Sequence, residues 1–224
     1  MSPEPSDDKK PLGTLFSPLL EAAVRLAARG HYHQFRKNAA DQNRGGPIGD
    51  FLPDGVPYIA HLMGTMCILA RVGVRDEVLA AAILHDYLED VPDPDGQKSI
   101  RAALGDEVLS LVLEVTEHKR RDSNGIDTWD VRKQEQLHQI EDMPEEAVLI
   151  KAADILHNLL SLQYDLEAAK DPEIVWKPFN AGPDRQLWYF SSVIEKVARR
   201  LDTHPLVEQL EEALSRLRSL VIDP

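Results

Sequence analysis

The sequence predicts an all-α fold, a bundle of about eight to ten helices. Two observations lead there. Apolar residues recur at helical spacing almost throughout, and no run of alternating β-branched residues is long enough to make a convincing strand. At 224 residues the chain fits one domain with a substantial core, and no Gly-rich or Pro-rich linker and no internal repeat divides it.

The elements follow in order. Residues 1–16 are polar, Pro-rich and charged, and read as a disordered tail ahead of a single domain over 17–224. The first helix spans 17–29 and stops at Gly30. Residues 38–56 form an irregular insertion, turn-rich at Asn43-Arg44-Gly45-Gly46-Pro47 and Pro53-Asp54-Gly55. Such a loop is either a lid over a site or an inserted ornament. Helices over 57–72 and 75–89 are parted by Gly73, and Val91-Pro92-Asp93-Pro94-Asp95-Gly96 ends the second sharply. Helices over 97–104 and 106–119 come next. Ser123-Asn124-Gly125 is a turn, and Asp127 or Thr128 is placed to cap a helix over 128–141. Periodic segments over 144–168, 183–202 and 205–220 complete the bundle.

Composition excludes several classes. Lys and Arg number 25 against 38 Asp and Glu, a net charge of −13. That balance argues against broad nucleic-acid binding, which needs a basic surface. A small basic pocket remains available from Arg36, Lys37, Lys119, Arg132 and Lys133. Cys67 is the sole cysteine, so no intrachain disulfide forms, and its neighbours Met66, Ile68 and Leu69 predict a buried thiol in a reducing, cytoplasmic setting. The N-terminus lacks the apolar core of a signal peptide, and no apolar run approaches the ~18 residues of a membrane span. Oligomeric state is not legible.

The chemistry concentrates in Ile83-Leu84-His85-Asp86-Tyr87-Leu88-Glu89-Asp90, at the end of the apolar stretch from Val78 to Leu84. Ionised groups beside a core are costly unless compensated, and a divalent cation would compensate them. His85 and Asp86 are candidate ligands. His61 and Asp154, each in apolar, helix-like surroundings, are candidates from distant segments. On one continuous helix His85 and Asp86 would point ~100° apart, so other helices would have to complete the shell. Glu89, four residues after His85, would share its face and could work on a water. Two imidazoles with two carboxylates suit Mn²⁺, Fe²⁺ or Zn²⁺ better than Mg²⁺ or Ca²⁺. His157, three residues after Asp154, is placed to support a ligand rather than to be one.

Several stretches recur together in a known family. They are His31…Gln34-Phe35-Arg36-Lys37, Pro57-Tyr58-Ile59-Ala60-His61, Ala80-Ala81-Ala82-Ile83-Leu84-His85-Asp86…Glu89-Asp90, Leu104-Gly105…Val108, Glu114-Val115-Thr116 and Leu149-Ile150-Lys151-Ala152-Ala153-Asp154…Leu156-His157-Asn158-Leu159. On these the chain resembles the HD-domain hydrolases of the RelA/SpoT homologues, in their small single-domain form, from about Leu19 to about Arg200. The resemblance implies an HD-domain helical bundle in which His61, His85, Asp86 and Asp154 hold one metal, typically Mn²⁺. It implies that Glu89 and Asp90 are the acid/base pair. Arg36, Lys37 and Asn158 would line a nucleotide site, with Arg185 and Tyr189 flanking the substrate. The implied reaction is removal of 3′-pyrophosphate from guanosine 3′,5′-bis(diphosphate). The same site acting on an adenine alarmone, NADPH or another 3′-phosphorylated nucleotide is the alternative, and a non-catalytic sensor is the alternative from another class. Leu62 stands where the family usually has Pro, and Tyr87 and Leu88 where it has smaller or β-branched residues. Tyr87 and the 38–56 loop are the positions able to reshape the pocket.

Overall fold

Ten consecutive residues from Ala147 to Leu156 are buried without a break, and that stretch sets the architecture. A helix buried on every side must be enclosed by others. The computed structural model describes residues 15–36, 56–117, 128–179 and 181–222. Among them the helices are α1 (Pro18–Gly30), α2 (Ile59–Arg71), α3 (Asp76–Ile83), α4 (Tyr87–Asp90), α5 (Gly96–Val115), α6 (Trp129–Asp142), α7 (Glu145–Ala168), α8 (Glu173–Trp176), α9 (Pro183–Leu201) and α10 (Pro205–Ile222). The central α7 packs against α2, α3, α5, α8, α9 and α10. Helix α3 is the second enclosed element, with Val78 to Ile83 all buried between α1, α2 and α5. No helix among the described residues is long and apolar enough to cross a membrane.

Local chemistry explains the boundaries. Ser17 caps α1 by accepting the Leu20 N–H at 3.3 Å, and Pro18 opens the helix where its missing N–H costs nothing. Gly73, at φ 77°, turns the chain after α2. Within α5, Gly105 takes φ 89° and ψ 177°, which breaks the helix between the two segments expected at 97–104 and 106–119. The second segment ends at Val115, because Thr116 turns extended. The short α8 carries too few periods to be seen in the sequence.

Two expectations need correction. The helix expected over 75–89 is interrupted: α3 stops at Ile83, residues 84–86 are a turn, and α4 starts at Tyr87. Cys67 is exposed rather than buried. The buried face of α2 carries His61, Leu62, Thr65 and Leu69, and Cys67, two residues from Thr65, falls on the opposite side. Lys37, Lys119, the tail over 1–14 and the insertion up to residue 55 lie outside the described residues. The ends of that insertion meet: the Arg36 N–H donates to the Val56 carbonyl and the Tyr58 N–H to the Gln34 carbonyl, both at 2.8 Å, pairing Phe35 with Pro57. This pairing seats Arg36 beside the start of α2.

Candidate metal centre and substrate cavity

The interruption after α3 is what builds the site. Leu84 (φ −113°, ψ 7°) and Asp86 (φ −97°, ψ 0°) leave helical geometry, and three-residue hydrogen bonds tighten the turn: Leu84 N–H to Ala81, His85 N–H to Ala82 and Tyr87 N–H to Leu84. His85 and Asp86 are therefore not splayed as on a continuous helix. His85 Nε2 lies 3.1 Å from Asp86 Oδ2. Tyr87 anchors the turn by packing into the core against α1. A Cβ on Gly30 would stand 2.5 Å from the Tyr87 ring, so only glycine admits it. Tyr87 consequently faces away from the cavity described below and does not reshape it.

His61 arrives from α2 and Asp154 from α7. His61 Nε2 is 3.3 Å from Asp154 Oδ1 and 3.8 Å from Asp86 Oδ2, and His85 Nε2 is 3.7 Å from Asp154 Oδ1. His61, His85 and Asp86 each offer a ligand atom within 4.8 Å of the other two, and Asp154 Oδ1 faces both imidazoles. Every one of the four is held from behind. His85 Nδ1 lies 2.7 Å from the Ala82 carbonyl, which can only accept, so that nitrogen carries the proton and Nε2 the lone pair in the neutral ring. The Tyr58 hydroxyl donates to Asp86 Oδ2 at 2.6 Å. Lys151 Nζ donates to Asp154 Oδ2 at 3.1 Å, and Asn158 Nδ2 to Asp154 Oδ1 at 2.7 Å. His61 Nδ1 meets His157 Nδ1 at 2.9 Å.

Whether these residues suit a divalent cation can be tested on one atom. His85 Nε2 is buried and lacks a hydrogen-bond partner, yet it faces two carboxylates. Burial would lower the His85 pKa, but Asp86 and Asp154 outweigh it and raise it. Burial would likewise raise the Asp154 and Asp86 carboxyls. Lys151 with the imidazoles outweighs it for Asp154, and His85 and His61 do so for Asp86, so both stay below their usual range. The cluster thus demands positive charge at its centre. Two imidazole nitrogens and two carboxylate oxygens are a donor set that a divalent first-row cation fits.

The cluster opens into a cavity of about 540 Å³ whose wall also carries Glu89, Asp90, Arg36, Lys133 and Asn158. Glu89 Oε1 accepts the Glu117 backbone N–H at 2.5 Å. Burial first, then the nearby Asp86 charge, push its pKa up to about 7. Glu89 is not on the same helical face as His85, since the turn intervenes; α4 delivers it to the cavity instead. The Asp90 carbonyl accepts from Gln34 Nε2 at 2.7 Å, tying α4 to the segment that carries Arg36. Arg36 in turn donates to Asn158 Oδ1 at 3.0 Å.

A second cavity of about 230 Å³ shares Arg36, Lys133, Lys151, Asp154, Asn158 and Phe179 with the first and adds an aromatic wall of Trp129, Tyr189 and Phe190. The Tyr189 hydroxyl donates to Gln136 Oε1 at 2.6 Å. Lys133 lies 4.7 Å over the Tyr189 ring and pairs with Glu117 at 2.8 Å. Arg132 pairs with the same carboxylate. Arg185 lines neither cavity. It stacks 4.6 Å over Trp129 and pairs with Asp130 at 2.7 Å. Among the supporting residues the sequence signals His157, at helical spacing from Asp154, but it carries no signal for Lys151 or for Glu117, whose backbone N–H holds Glu89.

Known proteins resemble this chain in sequence and in fold. The HD-domain family profile matches residues 23–184. The chain is 32% identical over 208 residues to guanosine-3′,5′-bis(diphosphate) 3′-pyrophosphohydrolase MESH1 of Mus musculus, covering 92% of this chain and 96% of that protein. It is 29% identical over 170 residues to the bifunctional (p)ppGpp synthase/hydrolase SpoT of Escherichia coli strain K12, covering 73% of this chain and 21% of SpoT. Among solved structures, a metazoan ortholog of SpoT that hydrolyses ppGpp superposes with a TM-score of 0.67 at 27% identity, over 93% of this chain and 99% of the other. The chain belongs to the HD-domain family, in the RelA/SpoT-homologue hydrolase branch that includes the metazoan SpoT homologue.

Proposed function

We propose that this protein is a Mn²⁺-dependent hydrolase that removes pyrophosphate from the 3′ position of guanosine 3′,5′-bis(diphosphate) or its 5′-triphosphate counterpart. The observation that carries the reading is the cluster of His61, His85, Asp86 and Asp154 opening into a cavity that presents both carboxylates and cations. The 3′-pyrophosphohydrolase activity of the MESH1 relatives supports the substrate.

The reaction consumes one water. Its oxygen forms a bond to the phosphorus next to the 3′ oxygen, the bond from that phosphorus to the 3′ oxygen breaks, and the 3′ oxygen gains a proton as pyrophosphate leaves. His61, His85, Asp86 and Asp154 would hold the cation, which supplies Lewis acidity, lowering the pKa of water and offsetting phosphoryl charge. Glu89 takes the proton of the attacking water. Its pKa near 7 makes it basic enough to accept that proton and ionised enough at neutral pH to be ready for it. Asp90, the next carboxylate on the wall, relays the proton that Glu89 has taken to the departing 3′ oxygen, so one proton leaves the water and one reaches the leaving group. Arg36 meets the nucleotide with a planar, bidentate cation able to stack on the base as well as bind phosphate. Lys133 adds a point charge, and Asn158 bridges Arg36 to Asp154. Lys37, outside the described residues, is assigned to the nucleotide on the family resemblance alone, and Tyr189 forms part of the aromatic wall. A reducing cytoplasm suits the exposed Cys67 thiol.

The test is a panel of guanosine 3′,5′-bis(diphosphate), its adenosine analogue and NADPH, each incubated with protein and Mn²⁺, with products resolved by anion exchange. GDP and pyrophosphate in equal amounts are expected from the guanosine substrate, at the highest kcat/KM of the three. Orthophosphate as the product, or a higher kcat/KM on NADPH or the adenosine analogue, contradicts the assignment.

A further inference from the structure

We propose that His157 is a positioning residue for His61, and that Gly64 is present to make room for it. The proposal rests on the metal-site reading above and goes beyond it. His157 reaches across from α7 so that its Nδ1 lies 2.9 Å from His61 Nδ1, with ring centroids 4.8 Å apart at 61°. Gly64 sits one turn after His61 on α2. A Cβ there would stand 2.2 Å from both Cδ2 and Nε2 of His157. Glycine is unfavourable inside a helix, and Gly64 is not among the glycines with positive φ. The space taken by His157 is what calls for it.

Two ring nitrogens at this distance share one proton, so one donates and the other accepts. The opposite nitrogen of His61, Nε2, faces Asp154 Oδ1 at 3.3 Å. With no cation bound, His61 can keep its proton on Nε2, toward Asp154, and accept from His157 Nδ1–H. When a cation takes the Nε2 lone pair, the His61 proton belongs on Nδ1, where it donates to His157. The proton of His157 then sits on its own Nε2. An imidazole serves both arrangements without moving a heavy atom and without gaining or losing charge. A carboxylate partner could only accept and a lysine only donate. Ser161 Oγ, 3.4 Å from His157 Nδ1, helps to hold that ring. Metal-ligating histidines are commonly oriented by a carboxylate or carbonyl. His85 follows that pattern through Ala82, whereas His61 relies on a second histidine.

The experiment is calorimetric titration of Mn²⁺ into the metal-free full chain. His157→Phe and Gly64→Ala should each weaken binding ~10–100-fold, the usual loss when a group supporting a ligand is removed. His157→Asn, whose amide places a donor and an acceptor where Nδ1 stands, should recover most of the affinity. Wild-type affinity in His157→Phe overturns the proposal, as does an equal loss in the Phe and Asn variants. Nitrogen-15 spectra of the wild-type imidazoles need no variant to fold: adding diamagnetic Zn²⁺ should move the His157 proton from Nδ1 to Nε2, and an unchanged tautomer overturns the proposal. His61→Ala separates the two readings. If it leaves Mn²⁺ binding intact the metal site itself is misassigned. If it abolishes binding while His157→Phe does not, only the positioning role falls.

Discussion

The backbone N–H of Glu117 donates to Glu89 Oε1 at 2.5 Å, across 28 residues of sequence. The chain leaving α5 thereby pins one oxygen of the carboxylate on α4 that faces the cavity. The Glu117 side chain simultaneously holds Arg132 and Lys133. One residue thus ties the proposed base to the basic wall of the cavity, through its backbone on one side and its carboxylate on the other.

Glu89→Gln keeps the shape of the side chain and removes its basicity. The four ligand candidates are untouched, so bound metal should stay at the wild-type level while kcat falls ~10² or more with substrate still bound. Asp86→Asn should instead lose metal and regain part of its activity with excess Mn²⁺. Elemental analysis beside single-turnover rates distinguishes the two. Full metal with near-wild-type turnover in Glu89→Gln removes Glu89 from the mechanism and leaves Asp90.

The raised pKa of Glu89 also has a stability signature. The folded, metal-free protein holds the Glu89 proton up to about pH 7, whereas an unfolded glutamate releases it near 4.5. The folded state binds more protons between these values, so the contribution of this group is full below the lower value and is lost as pH rises through the upper one. His157, lowered to about 4 by burial and by the His61 charge, acts in the opposite sense: its contribution is lost as pH falls through the ordinary histidine range. Comparing wild type with Glu89→Gln isolates the first effect. Between pH 4 and pH 8 (~4 units spanning both values) metal-free wild type should lose melting temperature relative to the variant. Parallel curves would show that Glu89 titrates normally.

Arg36→Ala should mainly raise KM, because it removes a charged contact made before the chemical step. The loss of the Asn158 hydrogen bond leaves the Asn158–Asp154 contact in place, so kcat should change less than KM. Steady-state kinetics decide this, and an unchanged KM on every nucleotide tested removes Arg36 from the binding site.

Chelation should lower the melting temperature. Without a cation, His61 and His85 remain buried against two carboxylates, and folded-state binding free energy is lost. A melting curve unmoved by verified metal removal counts against a buried centre.

The bundle and the ligand candidates were legible because both rest on local pattern. Helical spacing reports α7 and α9 within two residues of their ends, and two histidines and two aspartates beside apolar runs report a compensated charge cluster. The break at residues 84–86 was not legible. The run from Val78 to Asp90 continues a helical pattern, and the turn is set by where Tyr87 packs, against Gly30 and α1, which is a tertiary fact. Cys67 was misread for a related reason: its apolar neighbours describe a helix face only once the buried side of α2 is known. Tyr58 and Glu117 act through a hydroxyl and a backbone N–H, and neither carries a sequence signature for that role.

Anomalous diffraction from crystals grown with Mn²⁺ tests the central claim most directly. One peak is expected, within ~2.0–2.3 Å of His61 Nε2, His85 Nε2 and a carboxylate oxygen of both Asp86 and Asp154. A peak elsewhere, or a fully loaded site with any of these four side chains turned away, would contradict the single-cation centre on which the account depends.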